Sequence, residues 1–271
     1  MKDKPLISII TINLNNLEGL KKTANSIPKV NEVEWVFIDG FSSDGSIEFI
    51  KQHNRKPDHL IIENDHGIYY AMNKGIDIAT GEYIWFINSG DTVYSECDIV
   101  ELKTILVKNG NIDLLYGDYI LDNNGSSKLV SQNQAQIDFS WMFSKTLNHQ
   151  SYLLRTEHLK KIKFNLDYNI IADWIQLFES FKCSNLNTVY YPHPLVTYDR
   201  NGFSFLNEEK RLAERKKYLN SIYSHWELES FLILSKLRNR KYYFNLVRNL
   251  ESPTMNNVIF LVLKLRNSLR R

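Results

Sequence analysis

The chain has 271 residues, 43% hydrophobic and 24% charged, with a net charge of +2; this balance excludes a disordered protein and allows one large domain, or a domain with an appendage. Two distant cysteines, Cys97 and Cys183, have no metal-ligand spacing around them, which excludes a disulfide framework and points to free core thiols in a reducing compartment. From Lys236 onward nine Lys/Arg face one acid (+8), against twenty-four facing thirty before it (−6); an acidic body with a basic tail excludes a nucleic-acid-binding domain and suits contact with an anionic surface.

In chain order, Ser8–Asn13 predicts a strand and Leu17–Ile27 a helix. A second strand is predicted over Glu34–Asp39, a helix over about 45–53, and a short strand over Leu60–Glu63. Ile68–Ala79 carries Ile68, Met72, Ile76 and Ala79 on one helical stripe, and Tyr83–Asn88 is the fourth strand. Strands alternating with helices predict βαβ units, hence an α/β fold around a largely parallel sheet. Beyond Asp91 the rhythm changes. Ile99–Val107 reads as helix, and Leu114–Leu121 and Lys128–Ser131 flank the hairpin signal Asp122-Asn123-Asn124-Gly125. A strand-like Ser151–Leu154, a helix near Ala172–Phe181 and a strand near Thr188–Tyr191 follow, then helix almost throughout from Leu206. The N-terminus shows no signal peptide, and the longest apolar stretch, Val258–Leu263, is too short for a bilayer, which takes about 20 residues.

Ligands of open α/β sheets bind outside the carboxyl ends of the strands. Here those ends carry Thr11-Ile12-Asn13, Asp39-Gly40, Asp65-His66-Gly67 and Ser89-Gly90-Asp91, which converge on a polar pocket. Neither G-x-G-x-x-G nor G-x-x-x-x-G-K-[ST] occurs, so no backbone cradle for phosphates is expected. A divalent cation, Mg or Mn, held by a carboxylate would neutralise a nucleotide's phosphates instead, and Asp91, on a glycine hinge, is positioned to hold it.

The segments T-I-N, I-D-G-x-S-S-D-G-S, E-N-D-x-G-I-Y-x-A-M-N-K-G and A-T-G-E-Y-I-W-F-I-N-S-G-D, in this order over about residues 5–200, resemble family 2 glycosyltransferases of the GT-A fold, nearest to bacterial members that assemble surface polysaccharides. The resemblance implies a Rossmann-like, mostly parallel central sheet with flanking helices. It implies a catalytic domain over 1–205, with a nucleotide-sugar half to about 95 and an acceptor half over 96–205, then a helical basic extension over 206–271. It places Thr11 and Asn13 at the donor nucleotide, Asp39 at the uracil N–H, Asp65 and Gly67 at base and ribose, and Asn73 near the donor. Asp91 would bind the metal bridging the two phosphates, with Ser89 standing where the family's metal motif often has its first acid. Asp44 matches the second acid of the I-D-G-x-S-S-D-G-S segment, and a cap on the following helix is the other reading.

Inverting transfer needs a carboxylate to take the acceptor hydroxyl's proton. The resemblance matches Asp173, in I-I-A-D-W-I-Q-L, to that base; a helix N-terminal acid favoured by the dipole is the alternative. Trp174 stacks on a sugar face or serves the core. His149 and Gln150 would line the acceptor side, His193 would supply a third metal ligand, and Arg200 and Ser204 would close over the diphosphate. The basic helices of the tail suit the membrane interface, with packing on the catalytic domain or on a second copy, a homo-oligomer, as the other reading. The expected enzyme passes a sugar from a nucleotide-sugar, a UDP-sugar, to a lipid-linked glycan at the cytoplasmic face of the membrane. A sugar-phosphate nucleotidyltransferase and a non-catalytic nucleotide-sugar-binding subunit are the alternatives.

Overall fold

The structure is a computed structural model that describes residues 4–237 except 109, 124, 135–136, 144, 185 and 200–207. Its first half alternates β1 (Ile7–Asn13), α1 (Leu17–Ser26), β2 (Val33–Asp39), α2 (Ser46–Gln52), β3 (His59–Ile62), α3 (Ile68–Ile78) and β4 (Tyr83–Phe86). Every residue of β1, β2 and β4 is buried, as expected of parallel strands covered on both faces. These strands lie in the order β3-β2-β1-β4, all parallel, with Asn13 paired to Asp39 and Ile10 to Phe86. That register brings the carboxyl ends of the first strands to one edge. On one face Ile9, Trp35 and Trp85 join Leu20 and Ala24 of α1 and Ile50 of α2 in the core, while α3 covers the other, with Gly75 close against Ile10.

The second half contains β5 (Thr92–Val93), α4 (Ile99–Lys108), the hairpin β6 (Leu114–Asn123) and β7 (Ser126–Val130), and α5 (Phe139–Met142). A 3-10 turn at His149–Ser151 leads into β8 (Tyr152–Arg155), α6 (Thr156–Lys161), α7 (Ala172–Cys183) and β9 (Thr188–Asp199). The sheet continues β4-β8-β6-β9-β5, and this half is mixed rather than parallel. Starting from the 3-10 turn at the carboxyl edge, β8 runs back antiparallel between β4 and β6. The strand expected to stop at Tyr191 extends to Asp199. Pro192 and Pro194 fit inside it because the ladder to β6 shifts register at Gly117–Tyr119, where missing N–H groups are tolerated.

The amino edge of the sheet is closed. Glu34 is buried and accepts from Ser8 Oγ, Thr80 N (2.9 Å), Thr80 Oγ1 (2.7 Å) and His59 Nε2 (3.1 Å). Arg155 pairs with Glu82 at 2.6 Å and donates to the Tyr83 hydroxyl at 2.9 Å on the same edge.

The chain divides into two compact units, Met1–Gln136 with Leu147–Glu208, and Ile137–Thr146 with Glu209–Arg271. The second contains α5, most of α8 (Glu208–Ile222) and α9 (His225–Leu237). Within it Phe143 stacks on Phe231 at 4.2 Å, with Phe139 and Tyr223 around them, and Arg215 donates to Met142 O at 2.6 Å. No helix among the described residues is long and apolar enough to cross a membrane. The basic tail beyond residue 237, and Arg200 and Ser204, lie outside the described residues.

Candidate active site

Backbone bonds from Ile87 to Ile10 (3.0 Å) and Ser89 to Ile12 (3.1 Å) extend the β1–β4 pairing past β4. The chain then turns, with Asp91 N donating to Asn88 O at 2.9 Å. Gly90 sits at φ +109°, where a side chain would be strained, so the hinge needs glycine. Helix α1 clamps the turn. Thr23 Oγ1 donates to Asp91 O (2.7 Å) and accepts from Gly90 N (3.0 Å), and Asn16 Nδ2 donates to Ser89 O (3.0 Å).

The carboxylate this turn presents is 5% exposed. Asp91 Oδ1 accepts from Asp199 N at 3.0 Å and Oδ2 from Gln150 Nε2 at 2.9 Å. Among the described residues it forms no ion pair with Lys or Arg. Burial pushes its pKa up to about 7, against the opposing pull of the Asp199 amide, His149 and Gln150.

Asp173 lies in the first turn of α7, one-fifth exposed. Its Oδ2 is 3.1 Å from His149 Nδ1, and its Oδ1 accepts from Trp174 N at 2.8 Å and lies 3.2 Å from the Tyr69 hydroxyl, whose shorter bond, at 2.8 Å, is to Ile170 O. His149 Nε2 is 3.2 Å from Asn88 Nδ2, which suits the tautomer with its proton on Nδ1, directed at Asp173. One 3-10 turn therefore carries both contacts: His149 holds Asp173, and Gln150 holds Asp91. That turn is itself fixed by Gln132, which accepts from Asn148 N (2.9 Å) and donates to Ser151 Oγ (2.6 Å), and by Trp85, which donates to Gln150 O (2.6 Å). Tyr198 stands in the field of both carboxylates. Burial first, then Asp91 and Tyr119, then Asp173 and Asp199, push its pKa up to about 12, so it remains an O–H donor.

The remaining predicted residues divide. Asn13 and Asp39 meet at the ends of β1 and β2, where Asp39, fully buried, accepts from Asn13 Nδ2 (2.8 Å), Ser42 N (2.6 Å) and Ser42 Oγ (2.9 Å). Asp65 lies beside them. Its Oδ2 is 2.8 Å from the point a Cβ on Gly40 would occupy, and its Oδ1 accepts from Gly67 N at 3.0 Å. Ser89 hydrogen-bonds Asn16 O at 3.2 Å. Thr11 is buried and accepts from Trp35 Nε1 at 3.1 Å, while Asn73 uses both ends of its amide on the Phe164 backbone (2.9 and 3.0 Å). Trp174 is buried against Phe178 at 4.9 Å. His193 lies at the bulge of β9, its ring edge-on to Tyr191 at 5.1 Å, and makes none of the contacts around Asp91. Asp44 joins two helix starts, accepting from Leu17 N (2.7 Å) and Ser46 N (3.1 Å).

Three buried amide oxygens on this edge have no hydrogen-bond partner among the described residues: Asn13 Oδ1, Asn88 Oδ1 and Gln150 Oε1. Buried acceptors are seldom left so. A buried carboxylate with no cationic partner among the described residues, next to orphaned hard oxygens, fits a divalent cation. A different cluster, Asp113, Glu157 and His158, has ligand-like spacing. It lies near Arg155, at the amino edge, and Asp113 is already held by His158 (3.0 Å) and Asn187 N (2.8 Å). Residues that sequence reasoning gave no role in the site are Asn16, Tyr69, Asn88, Tyr198 and Asp199. Tyr69 stood inside a quoted motif; Asp199 reaches Asp91 across 108 residues only because β9 runs on past its prolines.

The sequence model described as Glycosyl transferase family 2 matches residues 8–183. The chain belongs to this family. It is thus a family 2 glycosyltransferase, and the match includes both Asp91 and Asp173 but ends before Asp199. A PGL/p-HBAD biosynthesis glycosyltransferase of Mycobacterium bovis is 27% identical over 213 residues, covering 73% of this chain and 78% of that one. Residues 1–349 of S. aureus TarS, crystallised with UDP-GlcNAc, superpose with a TM-score of 0.62 at 16% identity, over 90% of this chain and 76% of that one. The longer TarS chain is spanned to 46% of its length. Mannosyltransferase PcManGT of Pyrobaculum calidifontis, with GDP-Man and Mn2+, gives 0.56 at 13% identity over 95% and 70%. These likenesses carry the expected GT-A architecture, a central sheet with flanking helices.

Proposed function

We propose that this family 2 glycosyltransferase moves a sugar, with inversion, from a UDP-sugar to a lipid-linked or oligosaccharide acceptor in surface polysaccharide assembly. The observation that carries the reading is the 3-10 turn at His149–Ser151, whose adjacent side chains hold Asp173 and Asp91. Two carboxylates in contrasting settings then face one site, one partly open and hydrogen-bonded, the other buried. Asp173 accepts the proton of the attacking hydroxyl, with His149 and the Trp174 amide fixing the direction of its lone pairs. Asp91, with the orphaned oxygens of Gln150 and Asn88 beside it, would hold a divalent cation, Mn or Mg. When bound, that cation supplies charge stabilisation for the departing diphosphate.

The donor class is supported by the UDP-GlcNAc and GDP-Man complexes of the structural neighbours, and the cation by the Mn2+ of one. A biosynthetic glycosyltransferase role is supported by the PGL/p-HBAD biosynthesis relative, and a membrane-borne acceptor by the basic tail. The tail would bring the enzyme to the inner membrane face. Asp173→Asn tests the reading. UDP release should fall by about 10²–10⁴-fold while UDP binding is kept. Unchanged turnover would remove the base. A wild-type protein that binds UDP yet releases none from any UDP-sugar would favour a non-catalytic binding subunit.

A further inference from the structure

At the end of β2 the chain makes the turn Gly40-Phe41-Ser42. Phe41 adopts φ +69°, a left-handed conformation that a bulky side chain disfavours. The turn is held by others: Asp39 accepts from Ser42 N and Oγ, and Ser42 Oγ accepts from Asn15 N at 2.8 Å. A glycine at 41 would satisfy the same backbone without strain. Phe41 is 61% exposed, so core packing offsets little of that strain. Beside it, Leu14 continues β1 past Asn13 and is 56% exposed, with its Cδ1 3.2 Å from the point a Cβ on Gly40 would occupy. Two apolar side chains are thus left open on the polar edge of the sheet, next to the buried, unpartnered Asn13 Oδ1 and the Asp65 carboxylate.

An aromatic face flanked by directed acceptors suits a flat heterocycle with N–H groups on its rim. The spacing agrees. Phe41 follows β2 and Asp91 follows β4, with β1 between them, so two strand intervals, about 10 Å, separate the two positions. That is of the order of the reach from a nucleobase across its ribose to the phosphates. We propose that Phe41 is the platform on which the donor's nucleobase stacks, and so a specificity-determining residue of the donor site; this rests on the nucleotide-sugar reading above.

The test is titration of UDP with Mn2+ into wild type, Phe41→Gly, Phe41→Ala and Phe41→Tyr, with inorganic pyrophosphate as a second probe and thermal unfolding in parallel. Gly and Ala should weaken UDP by about 10-fold and leave pyrophosphate unchanged, while Tyr stays within a factor of about two. Phe41→Gly should also melt about 2–4 °C higher, because the strain is relieved. A Gly or Ala variant that binds UDP as wild type does overturns the proposal, as does a parallel loss of pyrophosphate, which assigns the effect to the whole site. Should the Gly variant fail to fold, the Ala variant decides. No UDP binding by the wild type sinks the donor reading itself, a different outcome from a wild type that binds and variants that match it.

Discussion

Glu34 and Asp91 are carboxylates of the same sheet, 6% and 5% exposed, at opposite edges. At the amino edge Glu34 collects four hydrogen bonds, from Ser8, Thr80 twice and His59. Burial alone would raise its pKa, but those bonds outweigh it and leave the group below its ordinary value. At the carboxyl edge Asp91 receives two, from neutral donors, and burial wins. Similar surface exposure therefore has opposite meanings, because Asp91 lies deeper and receives fewer hydrogen bonds. The satisfied acid fastens the sheet; the other, beside orphaned amide oxygens and with no cationic partner among the described residues, fits a site for positive charge.

The largest effect should come from removing the charge that awaits a partner. Asp91→Asn should lower turnover by about 10³-fold in a UDP-release assay with Mn or Mg present. If the variant keeps wild-type turnover, the contrast between the two edges loses its functional half. The same substitution should stabilise the protein in chelator. An acid whose folded pKa lies near 7, against 3.8 unfolded, adds no penalty below about pH 4 and its full penalty above pH 7, about 4 kcal/mol. The melting-temperature advantage of Asp91→Asn should therefore grow as pH rises from 4 to 8, and saturating Mn or Mg should shrink it. A pH-independent difference would mean that Asp91 is not held in a charge-averse site.

Glu34 should behave in the opposite sense. Its folded pKa is lowered, so its contribution is present above about pH 4.5 and fades as pH falls through the folded value. Glu34→Gln leaves an amide N–H₂ facing hydrogen-bond donors and should cost about 1–3 kcal/mol in denaturant titrations at pH 7. Turnover below the melting transition should stay at the wild-type level. Lost turnover in a fully folded Glu34→Gln protein would erase the distinction between fastening and working acids.

Much of this contrast can be read from the residues before any coordinates, and the rest fails for definite reasons. β1, β2 and β4 are continuous apolar runs between turn signals, so strand, direction and edge follow. The acids at their ends announce a polar edge. What no local pattern states is satisfaction. Asp39 and Asp91 look alike as strand-end acids, yet Asn13 and Ser42 enclose one, and the other waits on Gln150 and the Asp199 amide. The second half of the sheet was harder because its signals mislead. Pro192 and Pro194 read as a strand end, but the bulge against Gly117 absorbs them and delivers Tyr198 and Asp199 to the site. His193, expected as a third metal ligand, sits in that bulge and lies against Tyr191.

The smallest effect concerns Ser89, where the family resemblance leads one to expect an acid. Its hydroxyl donates to Asn16 O at 3.2 Å, and its own carbonyl accepts from Asn16 Nδ2 at 3.0 Å, so the residue is tied to the start of α1. Ser89→Asp would add a second carboxylate to the turn that carries Asp91, close to the positive end of a helix, which favours it. It would also lose the bond to Asn16 O and set a carboxylate against that carbonyl, which opposes it. Because cation affinity in oxygen sites rises with ligand charge, the Mn2+ concentration for half-maximal turnover should still fall, by about tenfold or less. The result sharpens the comparison between edges. A fall would mean that the carboxyl edge is short of negative charge for its cation; no change would mean that Asp91 and the neutral oxygens around it already suffice.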